Sequence, residues 1–400
     1  MKILFSHQNY PAQFGAFGSY LARRGWEIWF ATGNLKAKVP EGCHLIRMKP
    51  HREITKGVHR YASPLEKAMI NGQAFANACI AERERGFHPD VVVAHSGWGS
   101  GTFAKAVWPD CKYVAYVEWF YRWPPLDQIK PSNPKHLEDR RAEALARNAP
   151  TLLDLAEADL VFCPTEFQAE QFPPRYREGM QVMHDGVHAA MLKPDPKAVF
   201  KPNGTALPED SEVISYATRG MEPHRGFPQF MRMLADLQKR RPNLHAIIGG
   251  EDRVAYGAKL PEGESWKQRM LEELDLDLER VHFVGLLPRR EYTRLLQFTD
   301  LHVYLTVPFV LSWSLIEAMS IACPLLVSDT RPVREALEPD RGALMVDHND
   351  HDALVKAAEK MLSDKDLRER LGKAARLRVL ERYDSSWIWP NRAYQLQSLV

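Results

Sequence analysis

Residues 213–239 read VISYATRGMEPHRGFPQFMRMLADLQK. The stretch begins with an apolar run at 213–217, continues through a turn with two glycines and a proline, and from residue 227 has the spacing of an amphipathic helix. A strand followed at once by a turn and a helix is the repeating unit of parallel α/β sheets. This stretch therefore predicts an α/β fold with a parallel sheet.

Strand-like runs and helical segments alternate along the rest of the chain. We predict strands at residues 3–5, 26–31, 90–94, 113–117 and 160–163, and again at 244–248, 281–284, 301–305, 325–327 and 343–346. Helices are predicted at 17–24, 64–85, 137–158, 227–239 and 314–322, with further helical segments near the C-terminus. The alternation favours two doubly wound α/β halves.

Four prolines and little periodicity between residues 188 and 212 indicate a connector. A chain of 400 residues is also longer than one hydrophobic core usually serves. We expect an N-terminal Rossmann-like domain at 1–190, a linker at 191–212, a second Rossmann-like domain at 213–380, and a C-terminal helix at 381–400 that packs back on the first domain.

The composition excludes several classes of protein. The chain is 45% hydrophobic and 26% charged, which is typical of globular proteins and argues against disorder or a membrane-spanning protein. A net charge of +2 is too balanced for a surface that wraps nucleic acid, so no nucleic-acid partner is expected. The five cysteines form no C-x-x-C pair, and the opening MKILFSHQN has only a short apolar run. We therefore expect a cytoplasmic protein with reduced thiols.

Ligands of open parallel sheets bind at the carboxyl ends of the strands, so the residues after each predicted strand are the first candidates. After the first strand, Phe14 and Gly15 lie where a helix begins and where backbone amides could meet a ligand. No G-x-G-x-x-G dinucleotide motif is present. An ordinary β–α turn explains this segment equally well.

His95 follows the strand at 90–94 and precedes the glycine-rich run that contains Trp98. It could orient a hydroxyl or carry a proton, or it could be a structural histidine. Glu118 follows the next strand and lies beside Trp119 among aromatic residues. Burial would raise the pKa of this carboxyl, whereas pairing with Arg122 would make it structural.

Arg219 and Arg225 flank the turn that precedes the helix at 227–239. Guanidinium groups beside a helix N-terminus bind phosphate well, so a diphosphate is the natural ligand, unless both arginines are simply solvated. Gly250 follows the next strand. It could belong to a plain turn, or it could lie at the rim of the cleft that the two arginines would line.

The segment 308–319 reads PFVLSWSLIEAM and leads from a loop into a helix. Amides at Ser312, Trp313 and Ser314 could meet phosphate, and Glu317 could accept hydrogen bonds from a ribose. A purely structural glutamate is the alternative.

The strings HSGWG, CPTEFQAEQFP, MEPHRGFPQFM, VHFVG and YLTVPFVLSWSLIEAMS resemble a bacterial subgroup of the family 4 glycosyltransferases over nearly the whole chain. The resemblance implies two facing Rossmann-like domains of the GT-B type, with the acceptor on the N-terminal domain and a nucleotide sugar mostly on the C-terminal one. It implies that Arg219 and Arg225 hold the diphosphate and Glu317 the ribose. The base would lie against the backbone of Gly285, Leu286 and Leu287.

The resemblance also implies a retaining, metal-independent hexosyl transfer to a polysaccharide or glycolipid, with a UDP-sugar favoured as donor and GDP-mannose as an alternative. No cofactor is expected, since the nucleotide sugar is a substrate, and the sequence has no suitably placed D-x-D or His/Cys cluster. Three positions depart from the wider family: Phe309 replaces a glutamate that commonly contacts the donor sugar, Glu118 replaces a histidine, and Ala322 replaces a glycine.

Residues 47–60 read RMKPHREITKGVHR and hold five Lys or Arg. This segment could attract anionic lipid headgroups at the inner face of the membrane or a lipid-diphosphate acceptor, or it could be only a solvated loop. A sugar-nucleotide epimerase, a phosphorylase and a non-catalytic sugar-nucleotide-binding protein are the alternatives to a transferase. The predicted acceptor side comprises Phe14, Gly15, Trp98 and Trp119.

Overall fold

The computed structural model describes residues 1–126, 137–339 and 341–400. The chain divides into two compact units. The first comprises residues 1–125, the described part of 132–186, and 386–400, and the second comprises residues 187–385. Each unit contains one sheet in which every pair of neighbouring strands is parallel. The predicted α/β class with two parallel sheets is confirmed.

The first unit has a seven-stranded sheet of order β3-β2-β1-β4-β5-β6-β7. Its strands are β1 (Lys2–His7), β2 (Glu27–Thr32), β3 (Cys43–Arg47), β4 (Val91–His95), β5 (Lys112–Tyr116), β6 (Leu160–Cys163) and β7 (Gln181–Val182). Its helices are α1 (Gly15–Ala22), α2 (Ser63–Glu84), α3 (Ala104–Val107), α4 (Leu137–Ala146), α5 (Ala149–Glu157), α6 (Glu166–Ala169) and α7 (Pro174–Arg177).

The second unit has a six-stranded sheet of order β10-β9-β8-β11-β12-β13. Its strands are β8 (Glu212–Gly220), β9 (Leu244–Glu251), β10 (Val281–Gly285), β11 (Leu301–Tyr304), β12 (Leu325–Ser328) and β13 (Leu344–Val346). Its helices are α8 (Phe227–Arg240), α9 (Trp266–Glu273), α10 (Arg289–Phe298), α11 (Trp313–Ser320), α12 (Arg331–Ala336), α13 (His351–Ser363) and α14 (Lys365–Arg382). Short 3₁₀ turns occur at Pro202–Gly204, Pro223–Arg225 and Leu278–Arg280.

The central strands are apolar on both faces because helices cover both sides of each sheet. All five residues of β4 are buried. Val91 and Val93 pack in one core cluster with α1, whereas Val92 and Ala94 pack in another with α2. This two-sided burial explains why the strands of the sequence are continuous apolar runs.

The last helix, α15 (Ser385–Gln397), belongs almost entirely to the first unit. Ile388, Trp389 and Leu396 are buried in the same cluster as α1. The Trp389 indole N–H donates to the carbonyl of Asp185 at 2.8 Å. The chain therefore returns to its first unit after completing the second.

Most predicted elements are present with ends shifted by a few residues, two predictions were wrong, and two strands were missed. The single helix predicted at 137–158 is two helices, separated near Asn148, whose side chain bonds the backbone N–H and C=O of Tyr121. The edge strands β3 and β7 were missed, because β3 is largely exposed and β7 has only two residues. The turn predicted after residue 217 is partly strand, since β8 continues to Gly220.

Candidate functional site

A cavity of about 270 Å³ opens in the second unit at the carboxyl ends of its central strands. Eight of the predicted site residues line it: Arg219, Arg225, Gly250, Gly285, Leu286, Leu287, Ser312 and Ser314. Residues 217–219, 249–250 and 304–305 bring β8, β9 and β11 to its wall. The cavity therefore lies where parallel sheets bind their ligands.

Two local irregularities let the backbone reach this cavity. The pairing of β8 with β9 shifts between Ala217 and Gly220, which turns Thr218 and Arg219 out of the regular ladder. Gly250 opposite has a φ of +134°, and a Cβ there would lie 2.4 Å from the carbonyl oxygen of Thr218. Only glycine fits this position without moving the backbone.

Arg225 is the buried cation of the cavity, with 8% of its surface exposed. Its Nη1 donates to Thr306 Oγ1 at 2.8 Å, and its own carbonyl accepts a hydrogen bond from the Tyr216 hydroxyl. The guanidinium lies 5.0 Å from the ring centre of Tyr256 and 5.7 Å from that of Phe309. Within the described ranges no carboxylate forms an ion pair with it.

Arg219 lines the same cavity from the end of β8, and its side chain is exposed. Among the residues that the structure describes, it too has no acidic partner. Two guanidinium groups therefore face one cavity without neutralising carboxylates. Such a pair attracts an anion with several oxygen atoms.

The start of α11 forms another part of the wall. Ser312 caps the helix, with its Oγ accepting from the Ser314 N–H at 3.3 Å and lying 2.7 Å from the Ser314 Oγ. Trp313 and Glu317 follow on the same helix but are not among the described residues that line the cavity. Glu317 Oε1 instead accepts from Arg289 Nη2 at 2.7 Å.

Burial raises the pKa of Glu317 above its ordinary value, while the charge of Arg289 partly opposes the rise. The charge of Glu317 also contributes to the raised pKa of Tyr292, a residue that lines the cavity. Burial of the phenol is the larger cause of that rise. Glu317 therefore lies near enough to Tyr292, a residue of the cavity wall, for its charge to act on the phenol.

Sequence reasoning missed the aromatic and hydroxyl residues of the cavity. These are Tyr216, Thr218, Tyr256, Tyr292 and Tyr304. Tyr216, Thr218 and Tyr304 could have been found, because they lie at the ends of predicted strands. Tyr256 lies in an irregular loop and has no comparable signal.

The first unit holds a separate polar cluster at the carboxyl ends of β1, β4 and β5. His95 Nε2 lies 3.0 Å from Glu118 Oε2, and His95 Nδ1 lies 3.1 Å from the carbonyl oxygen of Ser96. Because both ring nitrogens face acceptors, the charged imidazolium fits this site best. Burial opposes that charge, but the carboxylate of Glu118 outweighs it and raises the pKa of His95.

Two expectations for Glu118 were wrong. Its pKa is lowered, because the charge and hydrogen bond of His95 and a bond from Gln13 Nε2 at 2.9 Å outweigh the effect of burial. Arg122 is not its partner: the Arg122 guanidinium donates to the carbonyl of Glu170. Glu118 is therefore an ionised, half-buried carboxylate that pairs with the buried imidazole of His95.

His7, at the end of β1, is the neutral neighbour of this pair. Its ring centre lies 4.8 Å from that of His95, and its Nδ1 accepts from the Asn9 N–H at 2.8 Å. Burial, with the charge of His95 added to it, lowers the pKa of His7 to about 3.

Asp154, which sequence reasoning missed, holds the glycine-rich run after His95. Its carboxylate accepts from Ser96 Oγ at 2.7 Å, from the Gly97 N–H at 2.9 Å and from Thr102 Oγ1 at 2.6 Å. Because Asp154 lies in α5, far along the chain, the sequence gives no local sign of this contact.

The four predicted acceptor-side residues have different environments. Phe14 is a core residue stacked on Phe5, and Gly15 begins α1, packed so closely on Pro11 that a Cβ would lie 2.4 Å from the proline Cβ. Trp98 is 49% exposed, and Trp119 is half-buried against Phe167. Trp98 is thus the most accessible of the four.

Acidic residues partly neutralise the basic segment 47–60. Arg52 pairs with Glu66 at 2.8 Å, and Arg60 bonds Asp139 and Glu143. In the described ranges no helix is long and apolar enough to cross a membrane. The same ranges contain no group of three or more His, Cys, Asp or Glu side chains arranged to bind a metal ion.

Comparisons with known proteins agree with the two-unit architecture. Residues 24–192 match the family model "Glycosyl transferase family 4 group", and residues 200–378 match "Glycosyl transferases group 1". The sequence matches none of the curated proteins with which it was compared.

Solved structures resemble the chain over nearly its full length. Sucrose-phosphate synthase from Thermosynechococcus elongatus is 17% identical, with a TM-score of 0.74 over 100% of this chain and 98% of the other. Anabaena HepE in complex with UDP-glucose is 15% identical, with a TM-score of 0.70 over 100% of both chains. A glycosyltransferase from Rickettsia africae is 14% identical, with a TM-score of 0.65 over 99% and 98%. Glycosyltransferase family models thus match both halves of the chain, and with this fold they identify it as a glycosyltransferase of the GT-B type.

Proposed function

We propose that this glycosyltransferase uses a nucleoside diphosphate sugar as donor, with UDP-sugars favoured, and transfers a hexosyl group with retention to a polysaccharide or glycolipid acceptor. The observation that carries the proposal is the pair Arg219 and Arg225 in one cavity, neither of them with an acidic partner among the described residues. In this proposal the diphosphate lies between the two guanidinium groups. The preference for uridine is supported by Anabaena HepE, a protein of similar fold that was solved with UDP-glucose.

The other walls of the cavity suit the remaining parts of such a donor. The backbone at Gly285 and the side chains of Leu286 and Leu287 offer a narrow apolar surface for a base. Glu317, on the helix that begins at this wall, would accept hydrogen bonds from the ribose hydroxyls after its Arg289 partner moves aside. Ser312 and Ser314 at the start of α11 would donate to phosphate oxygens.

In the proposed reaction the bond between sugar C1 and the phosphate oxygen breaks, and the bonding electron pair stays on the departing diphosphate. A bond forms between C1 and the acceptor oxygen, whose proton is released. Arg219 and Arg225 stabilise the charge that grows on the leaving group. Because these two cations already compensate the negative charge of the leaving group, we expect the activity to persist when EDTA removes divalent metal ions.

A thermal-shift panel tests the proposal, since a ligand that binds the folded state raises the melting temperature. UDP, GDP, ADP and TDP are compared with wild type, Arg225→Ala and the control Arg370→Ala, an exposed arginine on α14. We expect UDP to stabilise wild type and the control but not Arg225→Ala. Equal stabilisation of all three proteins, or of none of them by any nucleotide, would contradict the proposal.

Radiolabelled UDP-glucose incubated with and without a lipid extract separates transfer from the alternatives. A transferase gives a labelled lipid or polymer only when acceptor is present. Donor turnover that needs no acceptor would indicate an epimerase, dependence on free phosphate a phosphorylase, and tight binding without turnover a non-catalytic protein.

A further inference from the structure

A buried carboxylate holds the loop whose tyrosine lines the cavity. Glu222 is 0% exposed and follows β8 by two residues, in the turn that leads to Arg225. It forms no ion pair with a described residue. A buried, unpaired carboxylate is costly unless hydrogen bonds replace its water, so its contacts need a structural explanation.

The hydrogen bonds that Glu222 accepts all come from backbone amides of one loop. Glu222 Oε1 accepts from the N–H groups of Ala255 at 3.1 Å and Tyr256 at 3.0 Å. Oε2 accepts from Tyr256 at 3.1 Å and from Gly257 at 2.7 Å. Three consecutive amides thus converge on one carboxylate and fix a segment that has no helix or strand hydrogen bonds of its own.

The side chain that this arrangement fixes is Tyr256. Its ring lies 5.0 Å from the Arg225 guanidinium carbon, and its ring centre lies 5.5 Å from that of Phe309. It lines the cavity and is 42% exposed. The phenol hydroxyl donates to no atom of the described residues, so it is available to a ligand.

We propose that Tyr256 contacts the diphosphate, or the glycosyl oxygen next to it, and that Glu222 is the positioning residue that holds Tyr256 against Arg225. The inference rests on the proposed function, because it assumes a phosphorylated donor in this cavity. Glu222 does not touch the donor; it acts through the three loop amides. The aromatic face also fixes the guanidinium plane, since a cation over a phenol ring is attracted by its π electrons.

The test compares UDP and UMP by calorimetry, because only UDP reaches the position of the second phosphate. For Tyr256→Phe we expect UDP affinity to fall roughly tenfold, the loss of one charge-assisted hydrogen bond, while UMP affinity stays within about twofold. Glu222→Gln should have the same selective effect, since an amide NH₂ cannot accept from the loop N–H groups. Tyr394→Phe and Glu264→Gln, both exposed residues, are the matched controls.

A double variant separates positioning from general stability. Glu222→Gln combined with Tyr256→Phe should lose no more UDP affinity than the worse single variant, because both changes remove the same contact. Unchanged UDP affinity in Tyr256→Phe, or equal losses for UDP and UMP in Glu222→Gln, would overturn the inference. Since Tyr256 is at the surface, Tyr256→Phe gives an answer even if Glu222→Gln fails to fold. Wild type that binds no nucleoside diphosphate would instead refute the proposed function.

Discussion

Arg289 Nη2 lies 2.7 Å from Glu317 Oε1, and the two partners differ sharply in exposure: the arginine side chain is 70% exposed and the carboxylate 12%. An ion pair with one solvated partner contributes little to stability, about 1 kcal/mol at most. The arginine can therefore leave without much cost, whereas the half-buried carboxylate keeps its position on α11. Glu317 is thus an acceptor held on α11 and covered by an exposed arginine that can move away.

We predict that Glu317→Ala lowers UDP affinity roughly a hundredfold, because two hydrogen bonds from ribose hydroxyls to a carboxylate are lost, about 3 kcal/mol together. Arg289→Ala should change UDP affinity by less than about threefold. Calorimetry with uridine, UMP and UDP measures both effects, and the loss in Glu317→Ala should already be present with uridine. A loss confined to UDP would place Glu317 at the phosphates instead.

The pair His95–Glu118 predicts a defined pH dependence of stability. The pKa of His95 is raised above 6.5 in the folded state, so its contribution is complete below pH 6.5 and is lost as pH rises through the raised value. The pKa of Glu118 is lowered below 4.5, so its contribution is complete above pH 4.5 and is lost as pH falls. The pair therefore stabilises the first unit most between pH 4.5 and 6.5.

Glu118→Gln should lower the melting temperature by roughly 4–8 °C near the middle of that window, for the loss of about 2 kcal/mol. The difference from wild type should shrink as pH rises through the raised pKa of His95, because the pair then loses the charge of the imidazolium. Differential scanning calorimetry across this range is the measurement. His88→Gln, at an exposed histidine of the same unit, is the control, and its melting temperature should differ from that of wild type by an amount that does not follow this pH dependence. A loss of stability in Glu118→Gln that is independent of pH would refute the charged pair His95–Glu118.

The sequence predicted the residues that line the cavity best where they directly follow a strand. Arg219 and Gly250 come at the ends of β8 and β9, and parallel pairing brings such ends to one edge of a sheet. Leu286 and Leu287 came from the family resemblance rather than from any pattern of spacing. Their position in the same cavity follows from the place of β10 beside β9.

Hydrogen bonds between residues that lie far apart in the sequence could not be predicted. Glu222 bonds amides 33 to 35 positions away, and Asp154 bonds groups 52 to 58 positions away. Neither contact leaves a local pattern, because the donors lie far along the chain and are backbone N–H groups, which every residue except proline has, or the common hydroxyls of Ser96 and Thr102. The same reason explains the missed break near Asn148, which bonds the backbone of Tyr121.

The buried pair Asp185–Arg392 joins α15 to the first unit and gives the last prediction. Arg392 Nη1 lies 3.0 Å from Asp185 Oδ1, both side chains are 4% exposed, and the Tyr116 hydroxyl donates to Asp185 Oδ2 at 2.8 Å. The other terminal nitrogen, Nη2, donates to the carbonyls of Met183 and His184. Arg392 thus satisfies three acceptors that precede the second unit.

Arg392→Leu removes the buried cation that pairs with the Asp185 carboxylate, so we expect a loss of about 3–5 kcal/mol and a melting temperature lower by roughly 10 °C. Adding Asp185→Asn should restore part of the stability, because the amide oxygen still accepts from Tyr116 and no charge remains buried. Arg23→Leu, at an exposed arginine after α1, is the control and should change stability by less than about 0.5 kcal/mol. If the double variant is no more stable than Arg392→Leu alone, the loss comes from detaching α15 rather than from breaking the charge pair.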